Sequence, residues 1–132
     1  MNIQSIKAAF EDDRGSITDL VYKTDFDAVT LIKSNKGSIR GNHFHKDTTQ
    51  YSYILSGSVI AYSQKPDDKV ERKLLKPGEL MISLPLERHA LHAAEDSEIL
   101  IITKGPRNGL NYEADTFRVN PLHLQFVQLI SK

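Results

Sequence analysis

Hydrophobic positions along this chain come in short runs, several rich in β-branched residues, and turn residues cut each run from the next. The runs are Ile17 to Tyr22, Ala28 to Ile32, Tyr51 to Leu55, Val59 to Tyr62, Val70 to Leu75, Leu80 to Leu84 and Glu98 to Thr103. Between them stand Asn35-Lys36-Gly37, Ser56-Gly57-Ser58, Lys65-Pro66-Asp67-Asp68, Lys76-Pro77-Gly78, Glu95-Asp96-Ser97 and Lys104-Gly105-Pro106. Short strands at close spacing with turn signals between them predict an all-β sandwich or barrel of about ten strands. No segment before residue 120 keeps a helical period over three turns. Within the run around Tyr51, alternation puts Gln50, Ser52 and Ile54 on one face and Tyr51, Tyr53 and Leu55 on the other. The stretch after Pro121, LHLQFVQLI, suits a helix through Leu122, Phe126 and Leu129, or a strand through Leu122, Leu124 and Phe126. We read it as a strand or arm covering a sheet edge or a partner subunit.

Composition narrows the class. The chain has 132 residues, which sets an expectation of one domain over 1–132. A chain of that size buries roughly two-thirds of its unfolded surface and needs no covalent staple. There is no cysteine, so disulfide scaffolds, thiolate zinc sites and cysteine nucleophiles are excluded. Lys+Arg 17 balances Asp+Glu 17, and with no long basic run the main partner is not expected to be nucleic acid. No apolar run approaches the roughly 20 residues that span a bilayer, and the N-terminus lacks the apolar stretch of a signal peptide. A cytoplasmic protein is the expectation.

Chemistry concentrates in the five histidines. His43 and His45 lie in RGNHFHK, spaced i, i+2, so on an extended strand both rings share a face. Such a pair can chelate a metal or flank a substrate. His89 and His92 lie in ERHALHA, and His89 must converge on the pair through the fold. His92, three residues on, falls on the opposite face unless a bulge intervenes. His123 reads as structural.

The spacing extends into two frames. Gly37, five residues, His43-Phe44-His45, four residues, Gln50, six residues and Gly57 form one. Gly78, five residues, Leu84-Pro85-Leu86, two residues and His89 form the other. These resemble the two motifs of the cupin superfamily, a small β-barrel. Gln50 stands at the usual glutamate, Leu84 and Leu86 at a usual proline and glycine, and Ala93 at the final asparagine. Together with Asp13-Arg14-Gly15-Ser16, the run Arg40-Gly41-Asn42-His43-Phe44-His45-Lys46 looks like sugar-modifying cupins. These are nucleotide-sugar 3,4-ketoisomerases, relatives of the dehydrorhamnose 3,5-epimerase fold, and the zinc-binding cupin domain of bifunctional capsular-sugar enzymes. The tail Tyr112-Glu113-Ala114-Asp115-Thr116-Phe117-Arg118 is loosely similar to the ends of both groups.

The resemblance implies a single-domain cupin, a double-stranded β-helix or jelly-roll barrel, paired as a homodimer. Open sheet edges that a partner would cover agree with pairing. It further implies an enzyme that isomerises or epimerises a keto sugar, free or nucleotide-linked, in surface polysaccharide or glycan synthesis. Two chemistries fit the residues. In one, His43, His45 and His89, with Gln50 as neutral fourth ligand, hold a divalent transition metal such as zinc, iron, nickel or copper. In the other no metal takes part, and His43 and His45 move a proton beside a ketone. No organic cofactor is expected. Arg40 would clamp a phosphate or stabilise an enediolate oxygen; Lys46 reads as a surface residue or, more sharply, as a phosphate contact; and Tyr62, on the return strand, either lines the pocket or packs in the sheet. Arg14 reads as a turn residue with a salt-bridge partner, or as a contact to a sugar nucleotide across a dimer. The rivals are a non-catalytic metal- or ligand-binding cupin and a metal-dependent oxygenase.

Overall fold

The computed structural model describes residues 1–106 and 113–118. Among them the chain forms β1 (Asn2–Ser5), β2 (Phe10–Asp12), β3 (Gly15–Ile17), β4 (Ala28–Ser34), β5 (Ile39–Phe44) and β6 (Thr49–Ser56). There follow β7 (Val59–Gln64), β8 (Glu71–Leu75), β9 (Glu79–Ser83), β10 (Arg88–Ala93), β11 (Ser97–Lys104) and β12 (Phe117–Arg118). One sheet runs β1-β9-β6-β11-β4 and a second runs β12-β5-β10-β7-β8, and every pairing is antiparallel. The expected all-β jelly roll is what the chain adopts.

Period-two alternation assigns the faces. Ile54, Met81, Ile99 and Ile101 from the first sheet meet Val59, Ala61, Leu75 and Leu91 from the second in one buried cluster, with Ile3 and Ile32 packed against it. At one end of this cluster the inward positions turn polar: Gln50, Ser52, Ser63, Ser83, His89 and Thr103 are all buried. A core that changes from aliphatic to polar along its length leaves space and hydrogen-bonding groups at one mouth of the barrel.

The strands depart from the sequence reading near the N-terminus. The run Ile17 to Tyr22 is a strand only as far as Ile17. The β2–β3 hairpin turns at Asp13-Arg14 and pairs with itself alone, so a longer β3 would have no neighbour to bond. Arg14 is the expected turn residue, its guanidinium 2.6 Å from Asp12 Oδ2. The stretch 122–130, His123, Arg107 and Tyr112 lie outside the described residues. No helix among the described residues is long and apolar enough to cross a membrane.

Candidate active site

Three histidines meet at the polar mouth. The His43 and His45 ring centroids are 4.7 Å apart, those of His43 and His89 4.7 Å, and those of His45 and His89 5.3 Å. One nitrogen from each ring lies within 4.8 Å of the other two. His43 and His89 come together because β5 and β10 pair with these residues opposite one another. His45 follows the end of β5 and is 2% exposed.

A β-bulge aims this strand. His89 pairs with His43, but Ala90 pairs with Gly41, leaving Asn42 as an extra residue. Gly41 has φ 89° and Asn42 φ 58°. Plain alternation would send Arg40 and His43, three apart, to opposite faces; the bulge turns both to the cavity. Gly41 is needed there: a Cβ would lie 2.9 Å from the His89 carbonyl oxygen and 3.3 Å from the Ala90 Cα.

The cavity has a volume of about 200 Å³ and is lined by Arg40, His43, Gln50 and His89 with Ile32, Leu91 and Ile101. Burial fixes the charge state of its rings. Burial, then the neighbouring His45, pushes the His43 imidazole down to about 4. Burial, then His43 and His45, holds His89 well below the usual imidazole range. Both rings are therefore neutral at pH 7, and neither His89 nitrogen has a well-formed hydrogen bond among the described residues. Gln50 is buried, its Nε2 donating to Ser52 Oγ at 3.2 Å. Arg40 is exposed at the mouth. Its Nε donates to Ser34 Oγ at 2.9 Å and Nη2 to the Lys33 carbonyl at 3.0 Å, so one edge of the guanidinium is anchored.

Other expected residues sit elsewhere. Tyr62 does not line the cavity. It pairs with Ala90, the neighbour of His89, so its side chain is on the opposite face of the sheet, buried with Ala90 against Ile60 and Val70. Its phenol is raised by that burial, with Arg72 opposing. Lys46 is exposed, its Nζ 4.4 Å from the centre of the Phe117 ring, which stacks on Phe44. His92 pairs with Ile60 and Ile39, on the Tyr62 face, as alternation requires. Tyr51 and Tyr53 pair with Ile102 and Leu100, away from Gln50.

The sequence reading missed Asp115. This residue is 4% exposed, and its main-chain carbonyl oxygen lies 2.9 Å from His45 Nδ1. Its carboxylate accepts from the Lys46 amide at 3.0 Å, the Asp47 amide at 3.1 Å and the Thr48 hydroxyl at 2.6 Å. Burial raises this carboxyl, but the Thr48, Lys46 and Asp47 donors outweigh it and hold it below the usual carboxylate range. Only its place in the Tyr112–Arg118 tail marked it, since 70 residues separate it from His45.

No family model matches the chain, and no curated protein matches its sequence. Solved structures do match. One is the QdtA 3,4-ketoisomerase from Thermoanaerobacterium thermosaccharolyticum, a double mutant in complex with TDP. It is 25% identical, with a TM-score of 0.73, over 89% of this chain and 86% of that one. The WlaRB TDP-quinovose 3,4-ketoisomerase from Campylobacter jejuni is 17% identical, with a TM-score of 0.76, over 96% of each chain. The dTDP-4-dehydrorhamnose 3,5-epimerase from Sulfolobus tokodaii is 15% identical, with a TM-score of 0.71, over 86% of this chain and 74% of that one. The fold is thus the cupin jelly roll on which these sugar ketoisomerases and epimerases are built.

Proposed function

We propose that this protein isomerises or epimerises a keto sugar by proton transfer at a carbon next to the ketone. The observation that carries this reading is the cluster of three imidazoles, with His43 and His89 held neutral by burial, beside a cavity with an arginine at its mouth. A neutral imidazole can take a C–H proton made acidic by the adjacent carbonyl. The C–H bonding pair becomes a C=C bond to the carbonyl carbon, the carbonyl π pair moves to its oxygen, and an enediolate results. Return of the proton to the same carbon from the other face inverts that centre; return to the former carbonyl carbon, with the neighbouring hydroxyl proton passing to the former carbonyl oxygen, shifts the ketone along the ring. His43, the least buried of the three and on the cavity wall, takes the base role, with His45 as its partner. Arg40 offers fixed positive charge to the developing oxyanion or to a phosphate.

Size supports a sugar ring as the buried part. At about 200 Å³ the cavity is smaller than the roughly 300–1,000 Å³ of clefts that enclose a drug-sized ligand. A nucleoside diphosphate attached to the ring would then lie across the mouth, at Arg40. The solved ketoisomerases of the same fold that were captured with TDP favour such a nucleotide-linked substrate. We place the activity in surface polysaccharide or glycan synthesis.

Deuterium wash-in tests the reading. The protein is incubated in heavy water with a panel of nucleotide-linked and free keto sugars, and mass gain is followed. At least one sugar should gain deuterium, and His43→Ala should slow the gain by 100-fold or more, the usual range for a general base being about 10²–10⁴. Exchange with no sugar, alongside a ligand-induced rise in melting temperature, would assign a binding module instead.

A second reading is favoured by the grouping of one nitrogen from each of His43, His45 and His89 within 4.8 Å of one another. His43, His45 and His89 would hold a divalent transition metal such as zinc, iron, nickel or copper, with Gln50 as a neutral fourth donor. Three neutral imidazoles suit that cation class. A bound cation would polarise a substrate oxygen. Melting temperature should rise with added zinc and fall back with chelator, and His89→Ala should remove the response. No metal in freshly purified protein, together with wash-in that survives chelation, eliminates this reading.

A further inference from the structure

We propose that Asp115 is a positioning residue that fixes the tautomer of His45, so that this ring presents a lone pair, and not a proton, to the other two histidines. A main-chain carbonyl oxygen carries no proton, so the 2.9 Å contact from Asp115 to His45 Nδ1 requires that nitrogen to be the donor. In a neutral imidazole the other nitrogen is then the acceptor. That nitrogen, Nε2, is buried on the far edge of the ring, and the ring packs against His43 and His89.

The carbonyl can hold this position because the carboxylate of the same residue is tied to the turn that leaves His45. Oδ1 accepts from the Lys46 and Asp47 amides. Oδ2 accepts from the Asp47 amide at 3.2 Å and from the Thr48 hydroxyl at 2.6 Å. Residue 115 thus grips the chain twice: its side chain holds residues 46–48, and its main chain holds the imidazole. Residues 117 and 118 extend the attachment by pairing with Phe44 and His43. Neither contact is available from the histidine motif itself. The consequence for the proposed proton transfer, on which only this use of the ring rests, is an assignment of direction. With Nδ1 donating to the Asp115 carbonyl, the uncharged form of His45 accepts a proton or ligates a cation at Nε2, and any proton donated to the substrate comes from elsewhere or from the charged form.

Long-range proton–nitrogen correlation spectra of the full-length, ¹⁵N-labelled, chelator-treated protein at pH 7.5 test this. His45→Gln assigns the ring by loss of its signals. The wild-type ring should show a protonated Nδ1 and a bare Nε2. Asp115→Ala should convert a measurable fraction to the opposite tautomer, or give an averaged pair of shifts. If that variant does not fold, Asp115→Asn replaces it; this turns one carboxylate oxygen into an NH₂ donor facing the amides or the Thr48 hydroxyl, and the same change is expected at smaller amplitude. A wild-type His45 protonated on Nε2, or an unaltered Nδ1–H ring in the folded variant, would overturn the proposal. The spectra need no substrate. An intact tautomer result beside absent deuterium wash-in would therefore condemn the enzymatic reading alone.

Discussion

At the scale of the residue, the site is defined by which protonation state burial permits. His43 falls from an ordinary 6.5 to about 4, burial being the largest cause and the His45 ring the next. The unfolded chain protonates this ring near 6.5, while the folded chain resists until about 4. Between those values the unfolded state binds more protons, so stability rises with pH and drains away as pH falls from 6.5 to 4. The 2.5-unit gap corresponds to about 3 kcal/mol at full loss. For a domain of this size that is roughly 10 °C in Tm. Thermal melts of chelator-treated protein at pH 7 and pH 4 should differ by about that much, with His89 adding in the same direction. His43→Gln should flatten the difference. An identical slope in wild type and variant would show that the ring is not held neutral by the fold.

At the scale of the element, the bulge in β5 converts a strand into a site. Gly41 and Asn42 both take positive φ, and Gly41 passes within reach of the His89 backbone. Gly41→Ala should cost about 2 kcal/mol or more, from a left-handed backbone that disfavours a side chain by roughly 1–2 kcal/mol plus the collision with His89. Urea unfolding measures the cost; wash-in activity should drop further than stability does, because β10 must shift and carries His89 with it. A neutral substitution would mean that the bulge is not held in this form. This element also shows where sequence stops being legible. The i, i+2 spacing put His43 and His45 on one site, and the second glycine-to-histidine frame pointed to His89, 46 residues beyond His43, a pairing the β5–β10 register realises. Alternation alone could not place Arg40 beside His43, because a bulge is a two-residue departure with no hydrophobic signature. Tyr62 failed for the complementary reason. Register against β10, which no local pattern encodes, decides which face it takes. Asp115 reaches His45 through a main-chain carbonyl and residues 46–48 through its carboxylate, and since 70 residues separate it from His45 no local spacing marked either contact.

At the scale of the whole molecule, the outer face of the first sheet poses a solvation problem. Val29 and Leu31 of β4 are 55% and 51% exposed. Leu31 and Val29 pair with Leu100 and Ile102, which pair in turn with Tyr53 and Tyr51, and these with Leu80 and Ile82. Apolar or aromatic side chains thus cross four adjacent strands on this face; Leu80 and Ile102 are already buried within it, Tyr51, Tyr53, Ile82 and Leu100 are half-buried, and Val29 and Leu31 on the edge strand are left exposed. A contiguous patch of that kind marks an interaction surface. We propose that a second copy of the chain covers it: two such faces stack as sheets do in a sandwich, in an isologous two-fold contact. A pair of this type buries about 1,200–2,000 Å² in total. Light scattering behind size exclusion should return twice the chain mass at micromolar concentration. Val29→Lys with Leu31→Lys should return a monomer with little loss of folded stability, because both side chains already meet water in the single chain. A wild-type monomer at tens of micromolar would refute the pairing. A dimer indifferent to the double substitution would move the interface to another face, and the first candidate would be the β2–β3 hairpin, where Phe10 and Ile17 are 53% and 61% exposed.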